Sequence, residues 1–529
     1  MGTNKRINAG VVATVVVTLA AAVIVAATVD RGNLVHRTRN AALDPTITDT
    51  YTEIGPLNND FGQKIALSCP TAGACAATTT VDGTSETLFT RPSFYTRGNG
   101  TWTWATASAP LGTEADPRVE WVGTASACDP TGNCLATGTF NAYGWKLSAH
   151  RRAPGGTWTR VQSTPDLAGA NFLVNGAWIV DMTCPQVGSC IGAGRAFISG
   201  EGSGQVQMPL IVEADLGTGD PTWRIVPLPF VTFVDQPAST KIACSSKSRC
   251  VAIYPSKVKP FVVQKVDGAW GAPTALRLPS NAAAAPNGTI QAVDCASDGA
   301  CAVAGSYYDM QMTLRTFVTS YSASGAVVAS TGMGSSHDRV SNGSIATNPV
   351  DIDIECAAAD SCVLAGNLMD GQLLVAFVAQ QSSGTWPAQV SFLPAIAAPA
   401  TSATTTFGDP WTMPGKSIEL ERFACSPDGI LCMLLGKWTG FDVRMVRSNG
   451  TWWPATTFTP APSANTSDAG YFALECPTAT ECHGIRWRGG ATKIAINDMT
   501  IAAGSAPVTT VTTAPATTVA PATTVVTTT

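Results

Sequence analysis

The stretch Ile354-Glu355-Cys356-Ala357-Ala358-Ala359-Asp360-Ser361-Cys362-Val363-Leu364-Ala365-Gly366 sets the fold of this chain. An apolar residue two places before a cysteine, a short polar turn, a second cysteine and a second apolar run describe strand, tight turn and strand. A cysteine stands at each foot of the hairpin and can bridge across it. The cassette recurs eight times along the chain: Cys69 with Cys75, Cys128 with Cys134, Cys184 with Cys190, Cys244 with Cys250, Cys295 with Cys301, Cys356 with Cys362, Cys425 with Cys432 and Cys476 with Cys482. These pairs use all 16 cysteines. Seven pairs have five intervening residues and one has six, and successive first cysteines lie 51 to 69 residues apart. Spacing this regular marks an internal repeat.

The residues around each pair place it. Two positions before the first cysteine stand Leu67, Ser126, Met182, Ile242, Val293, Ile354, Phe423 and Leu474, an expected column of buried strand residues. Turn residues such as Asp129-Pro130-Thr131-Gly132-Asn133 separate the cysteines. Gly138, Gly194, Gly305, Gly366 and Gly436 recur at the fourth place past the second cysteine, which predicts a bulge or a close backbone approach there. Further along comes a Gly-containing turn followed by tryptophan, as in Asn99-Gly100-Thr101-Trp102, Gly155-Gly156-Thr157-Trp158, Asp267-Gly268-Ala269-Trp270, Ser383-Gly384-Thr385-Trp386 and Asn449-Gly450-Thr451-Trp452. Gly219 to Trp223 is a longer version, and Gly325-Ala326-Val327 a decayed one. Each tryptophan heads a strand, and another strand, such as Leu373 to Ala379, lies between the two landmarks.

Four strands per repeat is the content of a propeller blade. The expected fold is therefore all-β: an eight-bladed β-propeller of four-stranded antiparallel blades over residues 47–500. The last repeat lacks a fourth strand, while Thr50-Tyr51-Thr52-Glu53-Ile54 stands alone before the first hairpin with Tyr51 in the tryptophan place. The N-terminal strand is expected to complete the last blade and so remove the free sheet edges.

This order of cysteine hairpin, third strand, and Gly-x-Trp turn before a fourth strand resembles the Asp-box propellers, which include sialidases and the photosystem II assembly-factor-like propellers of bacteria. The resemblance spans the repeats, with the motif reduced mostly to its Gly and Trp and with Asp267 a rare acidic remnant. It implies the propeller fold. A sialidase-like site needs an arginine cluster, an acid and a Tyr/Glu nucleophilic pair, and no matching positions carry that set, so no catalytic residue is transferred.

Composition bounds the rest. Charged residues make up 13 % of the 529 residues and the formal net charge is −5, which excludes a nucleic-acid footprint. Lys5 and Arg6 precede an uncharged run from Ile7 to Val29, long enough to cross a bilayer as a helix. Residues 1–30 read as a signal-anchor, with a signal peptide cleaved near Val25-Ala26-Ala27 as the alternative. Residues 31–46 form a juxtamembrane linker and 501–529 a Thr/Pro/Ala-rich disordered tail. The expected place is the cell membrane, single-pass with an extracytoplasmic propeller, or alternatively secretion. In that oxidising compartment the cysteines read as disulfides rather than zinc ligands, whose close pairs are normally nearer in sequence and joined by further Cys or His.

A binding site must come from departures from the repeat. Charge interrupts the strand leading into several first cysteines, at Asp181, Lys241, Asp294, Asp351, Asp353, Glu355, Glu419, Glu421, Arg422 and Glu475. This strand is innermost in a propeller and borders the axial channel. Alternation places Asp351, Asp353 and Glu355 on one face, where with a neighbouring blade they offer a calcium site; a solvated strand entry is the bland alternative. His483 stands in the apolar column after a second cysteine and is expected to be a partnered core histidine, while Arg486 and Arg488 either line the channel or face solvent. The long insertion from Pro394 to Pro414 carries Phe407 and Trp411 as candidate binding residues. The expected function is non-enzymatic binding of a protein, peptide or glycan partner through inter-blade loops by a monomer, with no cofactor required. The alternative is a glycan-processing hydrolase with acids at the channel rim.

Overall fold

In the computed structural model, residues 46–56, 65–71, 73–82, 90–98, 100–106, 121–141, 145–161, 174–200, 204–226, 228, 240–255, 260–283, 288–334, 348–370, 373–392, 418–438, 441–453, 456–457, 470–488 and 493–502 are described. They form eight antiparallel blades, with parallel bridges between neighbours at Gly176↔Trp145 and Gly334↔Gln389. The innermost strands are, in blade order, Ala66–Ser68, Trp121–Cys128, Val174–Gln186, Lys241–Ser246, Gly288–Cys295, Asn348–Ala358, Ile418–Cys425 and Tyr471–Thr478. Each lies against the next, and the contact of Tyr471–Thr478 with Ala66–Ser68 closes the ring.

Closure uses both ends of the repeat array. Strand Thr46–Pro56 pairs antiparallel with Lys493–Ala502, from Thr46↔Ala502 to Pro56↔Lys493, and supplies the fourth strand of blade 8. Tyr51 is buried there. The expected N-terminal helix over residues 7–29 falls outside the described residues, among which no helix is long and apolar enough to cross a membrane.

The predicted column holds at every repeat: Leu67, Ser126, Met182, Ile242, Val293, Ile354, Phe423 and Leu474 are all buried. Every cysteine is bridged within its own hairpin, as the spacing predicts. Cys69 joins Cys75, Cys128 joins Cys134, Cys184 joins Cys190 and Cys244 joins Cys250. In the second half Cys295 joins Cys301, Cys356 joins Cys362, Cys425 joins Cys432 and Cys476 joins Cys482, which leaves no free thiol. The second cysteines, Cys75, Cys134, Cys190, Cys250, Cys301, Cys362, Cys432 and Cys482, are all buried, because each opens the second strand of its blade, under the neighbouring sheets.

Each of the eight junctions between neighbouring blades holds one apolar cluster, as where Ala76 and Phe94 of blade 1 meet Cys134, Ala136 and Trp158 of blade 2. The core is thus divided among the seams of the ring.

The tryptophan landmark acts across these seams. The Trp102 indole N–H donates to Asp498 of blade 8 at 2.9 Å, Trp270 to Glu213 of blade 3 at 2.7 Å, and Trp158 stacks on Phe94 of blade 1 with centroids 4.3 Å apart. The turns at three of these landmarks put two successive residues at positive φ: Asp267-Gly268 (50°, 82°), Ser383-Gly384 (49°, 75°) and Asn449-Gly450 (49°, 80°). Those angles define type I′ turns, whose twist matches the strands they join.

The recurrent glycine has a steric cause. Bulges displace the innermost strands between Ile179 and Asp181, between Ile290 and Ala292, and between Leu420 and Arg422. Each pushes a carbonyl toward the neighbouring strand: a Cβ on Gly194 would sit 1.8 Å from Trp178 O, on Gly305 1.9 Å from Thr289 O, and on Gly436 2.1 Å from Glu419 O. Only glycine leaves room.

Candidate functional site: the axial channel

The innermost strands line one axial cavity of about 1030 Å³. Its wall is uneven because the repeat positions facing it differ. Blades 1 and 2 contribute the small residues Ala66, Ser68, Ala125 and Ala127, whereas later blades contribute Asp181, Lys241, Asp294, Asp351, Asp353, Glu355, Glu421, Arg422 and Glu475. Seven candidates named from sequence, Asp181, Asp294, Asp351, Asp353, Glu355, Arg422 and Glu475, therefore share one wall; Phe407 and Trp411 lie outside the described residues.

Several of these groups hold blades together. Asp181 accepts the Ile242 N–H at 2.9 Å and its own neighbour Met182 N–H at 3.0 Å. Asp294 accepts Cys356 N–H at 2.7 Å, and Glu421 accepts Tyr471 N–H at 2.9 Å. Sequence reasoning missed the neutral members of this set: Ser68 accepts Cys128 N–H at 3.0 Å, Gln291 accepts Ile352 N–H at 2.9 Å, and buried Asn367 brackets Leu420 by accepting its N–H and donating to its carbonyl. Apart from the Met182 contact, each bond runs from one blade to the next, and all but the one to the Leu420 carbonyl satisfy a backbone donor on an inner strand edge, which a buried sheet edge otherwise leaves orphaned. The signal was available as a polar residue interrupting an inner strand, but composition does not distinguish a clasp from a ligand.

Other charges have different partners. Lys241 reaches past blade 5 to Asp353 at 3.7 Å. Arg422 is spent on backbone, donating to Phe472 O at 2.6 Å and to Glu421 O. Asp351 sits at positive φ (51°) and faces the Asn367 amide at 3.4 Å. Arg486 neither lines the channel nor faces solvent: it is buried and ion-paired with Asp442 across the seam of blades 7 and 8. Glu355 and Glu475 accept no hydrogen bond from any described residue.

Half-buried in the channel wall, these carboxyls are perturbed first by burial and then by one another. Burial, then Asp353 and Asp294, push the Glu475 carboxyl up to about 8. Burial, then the Asp294 and Asp353 charges, push Glu355 well above the usual carboxylate range. Burial raises Asp294 as well, and Asp353 holds the Lys241 ammonium up. Asp294, Glu355 and Glu475 each directly precede a cysteine, so they form the tier nearest the disulfide hairpins.

The calcium arrangement expected from Asp351, Asp353 and Glu355 needs converging oxygens. Among the described residues the only trio of His, Cys, Asp or Glu whose ligand atoms lie within 4.8 Å of one another is Cys69, Cys75 and His483. The two sulfurs there are joined to each other and supply no thiolate. Residues two apart on a regular strand have Cα atoms about 6.6 Å apart, and the register of this strand shifts between Val350 and Asp353.

No family model matches the chain, and no curated protein matches it. Among solved structures it is similar to the Dos1 propeller, at 9 % identity and TM-score 0.43 over 85 % of this chain and 94 % of that one. The WD40 domain of SCAP from fission yeast shows 9 % identity and TM-score 0.43 over 87 % and 99 %. The Trypanosoma rangeli sialidase shows 9 % identity and TM-score 0.32 over 85 % and 59 %. The chain is an all-β eight-bladed propeller by its own sheets.

Proposed function

We propose that this chain is an extracytoplasmic, non-enzymatic binding propeller that receives a positively charged group of a protein, peptide or glycan partner in its axial channel, through the face carrying the inter-blade loops. The observation behind this reading is the tier of Asp294, Glu355 and Glu475, three carboxyls on one wall with raised proton affinity. An entering ammonium or guanidinium lets these groups ionise and gives Glu355 and Glu475 a hydrogen-bond donor. Export, with residues 7–29 as the anchor, is supported by the complete pairing of the cysteines. The Gly-Trp turns support kinship with Asp-box propellers.

Fluorescence anisotropy with labelled hexalysine, hexaglutamate, chitosan oligomers and chitin oligomers tests the reading on purified protein. The cationic probes bind, salt weakens them, and Glu355→Gln with Glu475→Gln lowers affinity about tenfold for each ion pair lost, near 1.4 kcal/mol. Cationic binding that ignores both salt and the double substitution refutes it. A second reading has one observation in its favour: Glu475 keeps its proton at neutral pH, the state a general acid of a glycan hydrolase needs. Turnover of any glycan in a broad panel, abolished by Glu475→Gln, selects that reading.

A further inference from the structure

The eight disulfides look alike in sequence but not in surroundings. At seven seams the residue after the second cysteine of one blade shares an apolar cluster with the bridge of the next. These residues are Ala76, Leu135, Ile191, Val251, Ala302, Val363 and Met433. At the eighth seam the same column holds His483, fully buried against the bridge of Cys69 and Cys75. An imidazole nitrogen and both bridge sulfurs lie within 4.8 Å of one another.

The imidazole is oriented. Its Nδ1 is 2.7 Å from Asp498 Oδ1, and Asp498 is itself held by the Trp102 indole N–H at 2.9 Å and faced by Arg97 at 3.5 Å. Nδ1 is therefore the nitrogen tied to the carboxylate, and Nε2 is the nitrogen with no hydrogen bond among the described residues. Glu481 Oε1 lies 3.3 Å from Nε2, outside hydrogen-bond geometry, and is engaged by Arg97 at 2.7 Å. Carboxylate, imidazole and sulfur in series is the arrangement that activates cysteine chemistry. Access comes from the channel, which Cys69 borders while Cys75 is sealed behind it.

We propose that the bridge of Cys69 and Cys75 is a thiol-exchange site, opened from the channel by a small-molecule or protein thiol, with His483 delivering a proton to the departing Cys75 sulfur. The incoming thiolate attacks Cys69 Sγ. A bond forms between these two sulfurs, the bond between Cys69 and Cys75 breaks, and its electron pair goes to Cys75 Sγ, which takes the proton from the imidazolium. A second thiol then attacks the mixed disulfide, releasing oxidised reductant and leaving two protein thiols. Asp498 is the positioning residue that holds the ring and supports its charge.

Two other bridges supply an internal control, because Cys128 and Cys184 border the same channel but have Ala76 and Leu135 where His483 stands. The experiment treats the native full chain with glutathione, quenches with acid, alkylates the freed thiols and maps them by peptide mass spectrometry. Proton delivery to the leaving sulfur makes the bridge of Cys69 and Cys75 open about tenfold faster than the two controls. His483→Leu, which copies the apolar residue of the other seams, brings its rate down to theirs. Asp498→Asn, which keeps an acceptor for Trp102, lowers the rate as well and serves if the leucine variant fails to fold. Equal opening of the three channel-side bridges in the unmodified protein overturns the proposal. So does an advantage that survives both substitutions, since it then comes from local opening. A reduced protein that retains one zinc on Cys69, Cys75 and His483 overturns it in favour of a metal site.

Discussion

Replacing Asp49 by alanine should loosen the whole ring, because one buried carboxylate fastens the closing strand twice. Its two oxygens receive Arg444 of blade 7 at 2.8 and 2.6 Å, and one also receives the Asn497 amide of the adjoining strand at 3.3 Å. Both charged side chains are under 10 % exposed. Removing the acid breaks a buried ion pair from one side, a loss of about 3 to 5 kcal/mol. That is a large part of the roughly 5 to 15 kcal/mol that stabilises an ordinary domain. The closing strand is also the outer cover of Lys493–Ala502, so its release exposes an edge competent for aggregation. Urea unfolding followed by tryptophan fluorescence measures the first effect and light scattering the second. The paired change Asp49→Leu with Arg444→Met should stay within about 2 kcal/mol of the parent protein, since replacing a buried pair costs far less than breaking one. Unchanged unfolding of the Asp49→Ala protein would refute the assignment of Thr46–Pro56 as the strand that closes the ring.

Three further outcomes follow from the geometry. Gly194→Ala places a Cβ 1.8 Å from Trp178 O and should cost at least about 3 kcal/mol in urea unfolding, whereas Gly217→Ala, with open space around it, should change little. Replacing Cys128 and Cys134 together by alanine should remove about 2 kcal/mol, the closure entropy of a seven-residue loop, and leave the circular dichroism spectrum of the fold intact. The Glu475 carboxyl is raised to about 8 in the folded chain, so between its unfolded value near 4.3 and that point the folded state binds the extra proton. Stability from this group is complete at low pH and is lost as pH rises toward 8. Glu475→Gln should therefore unfold at higher denaturant than the parent at pH 8 and show a smaller difference between pH 5 and pH 8; equal differences for the two proteins would contradict the placement of Glu475 in the crowded wall.

The frame was legible because each repeat states the same physics. Leu67, Met182 and Ile354 recur where a strand must be buried, and the cysteines flank a turn too short for anything but a hairpin. Even Cys425 and Cys432, with one residue more between them than the other pairs, bridge the same way, since the extra residue is absorbed in the turn. Gly194 and Gly436 announced a backbone contact whose partner only the structure supplies, because the carbonyl that excludes a Cβ belongs to a bulge with no residue signature. The closing strand was readable for a related reason: the eighth repeat lacked what Tyr51 and its neighbours had to spare.

The channel was read less completely, and the reason lies in what a polar residue on an inner strand has to do. Propeller blades meet along strand edges whose N–H groups need acceptors, and any side chain with an oxygen at the right height meets that need. Asp181 and Asp294 do so as carboxylates, Gln291 and Asn367 as amides, and Ser68 as a hydroxyl. Charge in the sequence therefore overcounts ligand candidates and undercounts clasps. The groups left over, Glu355 and Glu475, are identified by having no hydrogen-bond donor among the described residues, a property that belongs to three-dimensional neighbours. His483 shows the converse. Its place in an apolar column marked it as an exception, yet its consequence depends on Cys69 and Cys75, more than 400 residues away in sequence, meeting it only when the last blade closes on the first. Ring closure thus creates the one seam whose disulfide differs chemically from the rest, and a protein that failed to close would lose that difference while keeping all eight hairpins.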